Sequence, residues 1–317
     1  MSNVYIVMYH YVREIQRSRY NGIKGLEVSL FREQVKFLKQ HFHIVTMEEV
    51  IAACKGEEEL PERAAVLTFD DGYIDHYKYV FPILKNEKVQ GSFFVPGKTF
   101  TEHKLLDVNK VHFILAAAQI ETLIEELNRQ LDYYRGSEWR IPSNEELFEK
   151  YAVANRWDTK ETIYVKRCLQ TALPEKLRNI ISSNLFKEFV SDSEENFAYE
   201  LYMNADQIRC MKNCGMHIGL HGYDHYWLGN LEEKSMQKDI DKSLEVLDEF
   251  IDCKNWVMNY PYGSFNENVV SYIEKKNCVL GLSTEVRIAD LKKDNRYKLP
   301  RFDTNDFPPQ SENYLNI

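Results

Sequence analysis

The apolar run Ala64–Phe69 ends abruptly in Asp70, Asp71 and Gly72. A short run of this kind, bounded by turn-forming residues, reads as a buried strand, and Gly72 permits a sharp turn at its C-terminal end. Adjacent carboxylates repel, so placing both at a buried strand end is unfavourable unless a cation, a proton or strong hydrogen bonds offset the repulsion. An Asp-Gly turn into the next helix is the plain alternative.

A second constellation lies far downstream. In Met216–His225 another strand-like run ends on His221, and His225 follows four residues later, a spacing that can aim both imidazoles at one point. Two histidines and a carboxylate supply the three protein ligands of an open zinc-type catalytic site. The remaining aspartate is then available as a general base.

Thr68-Phe69-Asp70-Asp71-Gly72 and His221-Gly222-Tyr223-Asp224-His225 resemble the motifs T-F-D-D-G and H-[ST]-x-x-H of the polysaccharide deacetylase family, also called the NodB-homology or carbohydrate esterase family 4 domain. Gly222 stands where Ser or Thr is usual. The resemblance implies a distorted (β/α) barrel, Asp70 as catalytic base, and Asp71, His221 and His225 as metal ligands. The family's third motif, R-x-x-x-P-x-G, is matched only at its end by Asn259–Gly263, and its arginine position falls on Val257. By resemblance the Tyr262 backbone N–H is an oxyanion donor. Many members end with Leu-x-His, which supplies the general acid; here Arg301 occupies the histidine-like place. Arginine is a poor proton donor but a good carboxylate holder, so Arg301 is expected to replace the missing arginine by binding Asp70. Poly-N-acetylglucosamine deacetylases often begin with a Tyr-His segment similar to Tyr9-His10, which places His10 at the mouth of the site. His10 is the first candidate acid and protonated Asp70 the second. The expected cofactor is one divalent metal, Zn²⁺ first, with Co²⁺, Mn²⁺, Fe²⁺ and Ni²⁺ also suited to such ligands.

The rest of the chain agrees with an α/β architecture. Strand-like runs at Val4–Met8, Phe42–Val45, Gly91–Val95, Asn255–Tyr260 and Cys278–Ser283 alternate with helical patterns at Phe31–His41, Met47–Cys54, Tyr77–Lys88, Leu231–Phe250 and Val269–Lys276. This order predicts a parallel sheet or barrel, with reactive residues at the C-terminal strand ends. Ser29 and Thr46 read as helix caps, as do Ser143, with Glu146 completing a capping box, and Asn204. From 103 to 203 the strand pattern gives way to amphipathic helices. Residues 1–102 and 204–317 are therefore assigned to the barrel and 103–203 to a helical insertion that caps the cleft, selects substrate or makes a homo-oligomer. Trp139 and Trp157 read as packing aromatics before sugar-stacking ones.

Composition removes other classes. The 317 residues include 49 acidic and 40 basic side chains, a formal charge of −9 that argues against a general nucleic-acid surface. The 6 cysteines are scattered and read as free thiols, Cys210 and Cys214 as two packed side chains. No run reaches transmembrane length, and Met1 leads into the first strand without a basic, long apolar leader, so the expected location is cytoplasmic. The expected reaction is metal-dependent removal of an N-acetyl or N-formyl group from an amino sugar or glycan intermediate in surface polysaccharide or glycolipid biosynthesis. The alternatives are a non-catalytic carbohydrate-binding or scaffold homologue and an amidohydrolase acting on a small non-sugar amide.

Overall fold

The structure, a computed structural model, describes residues 3–155 and 158–316, so Trp157 lies outside the described residues. The chain groups into two compact units. One comprises Met1–Glu14, Gly25–His103 and Tyr199–Ile317, and the other Ile15–Lys24 and Lys104–Ala198.

The first unit is the distorted (β/α) barrel. Its parallel strands run Asn3–Tyr9, Ala64–Phe69, Gly91–Val95, His217–Leu220, Trp256–Asn259 and Cys278–Leu282, each paired with the next. Leu299 bridges Leu282, while Phe302 pairs in parallel with Val7. The segment Leu299–Phe302 therefore spans from the last of these strands to the first.

Alternation along the strands sorts their side chains into two cores. Ala65, Leu67, Phe69, Ile218, Leu220 and Met258 pack outward against helix residues such as Val35, Leu38, Ile208 and Ile240. Val4, Ile6, Val66, Phe94, Val257, Leu280 and Leu299 form a separate inner cluster. Stepping two residues beyond an inward residue keeps the inward face: Val66 leads through Thr68 to Asp70, Ile6 through Met8 to His10, Val257 to Asn259, and Leu299 to Arg301. Gly219 shares this parity and leads to His221.

Local signals explain several helix starts. Thr46 caps Met47–Lys55 in a capping box with Glu49, and Asn204 caps Ala205–Asn213 in one with Gln207. Four expectations need correction. The first α-helix begins at Val28 with Glu27 as its extended cap, so Ser29 lies inside it; the short strand Leu26–Glu27 runs directly into the helix. The Phe42–Val45 strand shrinks to His43–Ile44. The helix after the Asp-Asp turn opens with a π-helical turn, His76–Val80, before Phe81–Glu87, because Pro82 has no N–H to give the preceding turn. Cys214 is exposed, since it lies at the helix end before the Gly215 turn; the cysteines are free.

The second unit is helical: Asp107–Ala117, Ile120–Tyr134, Asn144–Tyr151, Lys160–Arg167 and Glu175–Phe189. Phe197 packs edge-on against Phe113 and Phe186, and Tyr20 from the outlying segment Ile15–Lys24 joins Phe113. Among the described residues no helix is long and apolar enough to cross a membrane.

Gly219 tests the inner packing, because a Cβ there would meet Phe94 Cε1 at 2.4 Å and the Val257 carbonyl at 3.1 Å. Gly219→Ala is expected to cost about 1–3 kcal/mol of folding stability as an overpacked core, read from the urea midpoint.

Candidate active site

Asp70 leaves its strand still paired, its N–H donating to the Tyr9 carbonyl at 2.9 Å. Asp71 and Gly72 then both take left-handed backbone, φ 74° and 67°, which reverses the chain and turns the two carboxylates apart. Gly72 is required there by space as well as by angle: a Cβ would lie 2.8 Å from Val95 Cγ1.

Asp70 is 1% exposed and faces Arg301, itself 1% exposed. The guanidinium makes a fork, Nη1 donating to Oδ1 and Nη2 to Oδ2, each at 2.9 Å. Its other bonds go to the Ser283 carbonyl and the Thr68 hydroxyl, so the arginine is fixed by backbone and side chain alike. Burial alone would raise the Asp70 pKa, but the charges of Arg301, His10 and His221 together with the Arg301 hydrogen bonds outweigh it and the carboxyl is held at about 2. His10 Nε2 lies 3.8 Å from Asp70 Oδ2, and its side chain is 40% exposed. Buried His76, whose pKa desolvation lowers to about 4, bonds the His10 carbonyl through Nε2 at 2.8 Å.

Asp71, His221 and His225 meet on the other side of the turn. The imidazole Nε2 atoms of His221 and His225 lie 3.3 and 3.2 Å from Asp71 Oδ1. His221 Nδ1 is 2.7 Å from the Asn259 carbonyl, which can only accept, so the proton sits on Nδ1 and the Nε2 lone pair points at the carboxylate. Tyr73 donates to the other oxygen, Oδ2, at 2.5 Å. Asp71 Oδ1 thus has no hydrogen-bond partner among the described residues although it is buried. Burial holds the His225 pKa below its ordinary value.

Two acceptor atoms facing one another in a buried site need a positive species between them. The donor set fits a divalent cation: ligands at Zn–N and Zn–O lengths of about 2.0–2.1 Å in a tetrahedron stand about 3.3 Å apart. The three ligand atoms lie within 4.8 Å of one another.

Tyr262 stands in the turn Pro261–Gly263 with φ 58°, its ring edge-on to His225 at 4.8 Å and stacked on Trp227 at 4.3 Å. Val257, at the position of the absent motif arginine, is fully buried in the inner cluster. The guanidinium beside Asp70 comes instead from Arg301, on the segment between the last strand and the first. Two residues near the site carry no sequence-level assignment. Tyr73, stacked on Tyr11 at 4.1 Å, is signalled by following the Asp-Asp-Gly turn directly. Asp239 is signalled only as a lone carboxylate on the apolar face of the helix Glu233–Leu247.

The polysaccharide deacetylase family description matches residues 57–130 and 185–280, over half of the chain. The chain belongs to the polysaccharide deacetylase family. Within it, a stretch of 62 residues is 43% identical to poly-beta-1,6-N-acetyl-D-glucosamine N-deacetylase of Escherichia coli K12, covering 19% of this chain and 9% of that protein. The match thus spans a small part of that relative's length. The deacetylase PplD of Streptococcus pyogenes, solved in complex with acetate, superposes with a TM-score of 0.57 at 18% identity over 99% of this chain and 96% of its own. IcaB from Ammonifex degensii gives 0.54 at 18% identity, over 96% of this chain and 92% of its own. Likeness at that identity speaks for the fold.

The Asp70–Arg301 pair yields a direct test. Arg301→Ala leaves a buried carboxylate without its counter-charge and is expected to cost about 3–5 kcal/mol in urea unfolding. Arg301→Lys, which keeps the charge but not the fork, should lose less; wild-type stability in both variants would show that the pair holds nothing.

Proposed function

We propose that this deacetylase-family chain is a metal-dependent hydrolase that removes an N-acetyl group from an amino sugar, with N-formyl as a smaller group open to the same chemistry. The observation that carries the reading is the buried convergence of Asp71, His221 and His225 beside a second, clamped carboxylate. A bound divalent cation, Zn²⁺ on this donor set, supplies Lewis-acid polarisation and makes water more acidic.

The remaining steps are assigned to the chain's own groups. Asp70 is kept anionic and fixed in direction by Arg301, so it is ready to accept a proton from the attacking water at Oδ2. The water oxygen bonds to the acyl carbon, and the C–N bond then breaks, which requires a proton on the departing amine. That proton is assigned first to a group other than Asp70, with protonated Asp70 as the second candidate. The first candidate for that transfer is His10, a reading supported by its 3.8 Å approach to Asp70 and its solvent exposure. The Tyr262 N–H is assigned to the oxyanion, since the left-handed turn that carries it stands against His225.

The substrate assignment, a glycan or glycan precursor containing N-acetylglucosamine, is supported by the local similarity to the Escherichia coli poly-beta-1,6-N-acetyl-D-glucosamine N-deacetylase. Surface polysaccharide or glycolipid biosynthesis is the setting that accompanies it. All the groups given a chemical role belong to the first unit. The helical insertion is accordingly proposed to act in substrate selection or assembly.

The test pairs metal content by elemental analysis with acetate and formate release from N-acylated glucosamine oligomers. Wild type and Asp70→Asn should both carry one metal, with release slowed by about 10²–10⁴-fold in the variant. His10→Gln should keep the metal and lose rate within the same range. Chelation should abolish turnover and Zn²⁺ restore it. Metal without turnover on any oligomer would favour a carbohydrate-binding protein, and a metal-free wild type would sink the reading.

A further inference from the structure

The helix Glu233–Leu247 turns Met236, Ile240 and Leu247 inward, and the same buried face carries a carboxylate, Asp239, at 5% exposure. An aspartate is rarely buried without partners that compensate its desolvation. Here they are two successive backbone N–H groups: Tyr223 donates to Oδ2 and Asp224 to Oδ1, each at 2.9 Å. Burial pushes the Asp239 pKa up to about 6 against these two bonds. A costly buried group is thus spent on one loop, the three residues between His221 and His225.

The loop is held from its other side as well. Gly97 N–H and Lys98 N–H donate to the carbonyls of Gly222 and Tyr223, both at 3.1 Å, and Lys98 Nζ pairs with Asp224 at 2.6 Å. The residue that follows, His225, is in left-handed backbone with φ 58°. That conformation costs a non-glycine residue energy and relaxes when the surrounding contacts are released. Gly222, where the family motif has Ser or Thr, also has φ 68°, and a Cβ on it would come 3.0 Å from Asp239 Oδ2. A side chain at 222 would therefore press on the Asp239 carboxylate, which would have to give by a few tenths of an ångström.

We infer that Asp239 is the positioning residue of the proposed metal centre, fixing the 222–224 loop so that His225 meets Asp71. The inference rests on the metal-site reading above and assigns no proton transfer to Asp239.

The test uses full-length protein stripped of metal, with Zn²⁺ affinity measured by competition against a chromophoric chelator and folding followed by thermal melting without zinc. Asp239→Asn keeps the volume but turns an amide donor toward a backbone donor. It is expected to weaken Zn²⁺ binding by about 10- to 100-fold, the range for groups that orient metal ligands, while still melting cooperatively. Asp239→Glu, which restores the carboxylate on a longer arm, should recover part of that loss. Ser243→Ala, one turn along the same buried face, should bind Zn²⁺ as wild type does. If Asp239→Asn does not fold, Asp239→Ser carries the same expectation with room for water. Wild-type affinity in a folded Asn or Ser variant would overturn the inference, as would an equal loss in Ser243→Ala. Wild-type protein that takes up no Zn²⁺ would overturn the metal-site reading and this inference with it.

Discussion

Every second residue of a strand faces the barrel interior, and that alternation does not stop where regular pairing ends. His10, Asp70, His221, Asn259 and Arg301 come from widely separated parts of the chain. They share one property: each follows an inward position of its strand or closing segment by an even step. The inner cluster of Val4, Ile6, Val66, Val257, Leu280 and Leu299 is the floor on which they stand. Because this floor excludes water, the charges above it must satisfy one another. Arg301 satisfies Asp70 with two bonds of 2.9 Å. Asp71 is satisfied on one oxygen by Tyr73, and its other oxygen faces two imidazole nitrogens.

The site also holds backbone that the chain would not choose locally. Asp71, His225 and Tyr262 all have positive φ, although none is glycine. Each such residue costs on the order of 1–2 kcal/mol and persists only where its surroundings determine it. The surroundings can be named. The Gly72 carbonyl accepts from Met203, the 222–224 loop is tied to Asp239 and to the start of the Gly97–Thr101 helix, and Tyr262 is pinned beneath Trp227. Left-handed turns bring side chains to the top of the strands at angles that extended backbone does not reach.

Much of this is legible in the sequence because the strands announce themselves. Ala64–Phe69 and the runs around it have the length and apolarity of buried parallel strands, and the motifs lie at their ends. The structure puts Arg301 on Asp70 across 231 residues. No periodicity reports a pairing at that separation, so its only sequence trace was an arginine standing in a histidine's place. Asp239 left less trace still. Its partners are backbone N–H groups, which every residue but proline has, and nothing in the loop's side chains points to it. The misplaced cap at Ser29 has the same origin: a two-residue strand, Leu26–Glu27, sets the helix start by tertiary pairing, and the local Ser signal is overridden.

The origin of Arg301 has a consequence for how the centre is assembled. The segment Leu299–Phe302 reaches the first strand only after nearly all of the chain is available, and it brings the counter-charge that Asp70 lacks until then. Long-separation contacts of this kind form late, because a large loop must close before they reward the chain. Without that segment in place the mouth of the barrel is electrostatically incomplete, since Asp70 draws its only paired guanidinium among the described residues from it. The same few residues thus join the last strand to the first and neutralise Asp70, so that closure of the sheet and charge balance at its mouth depend on one short segment.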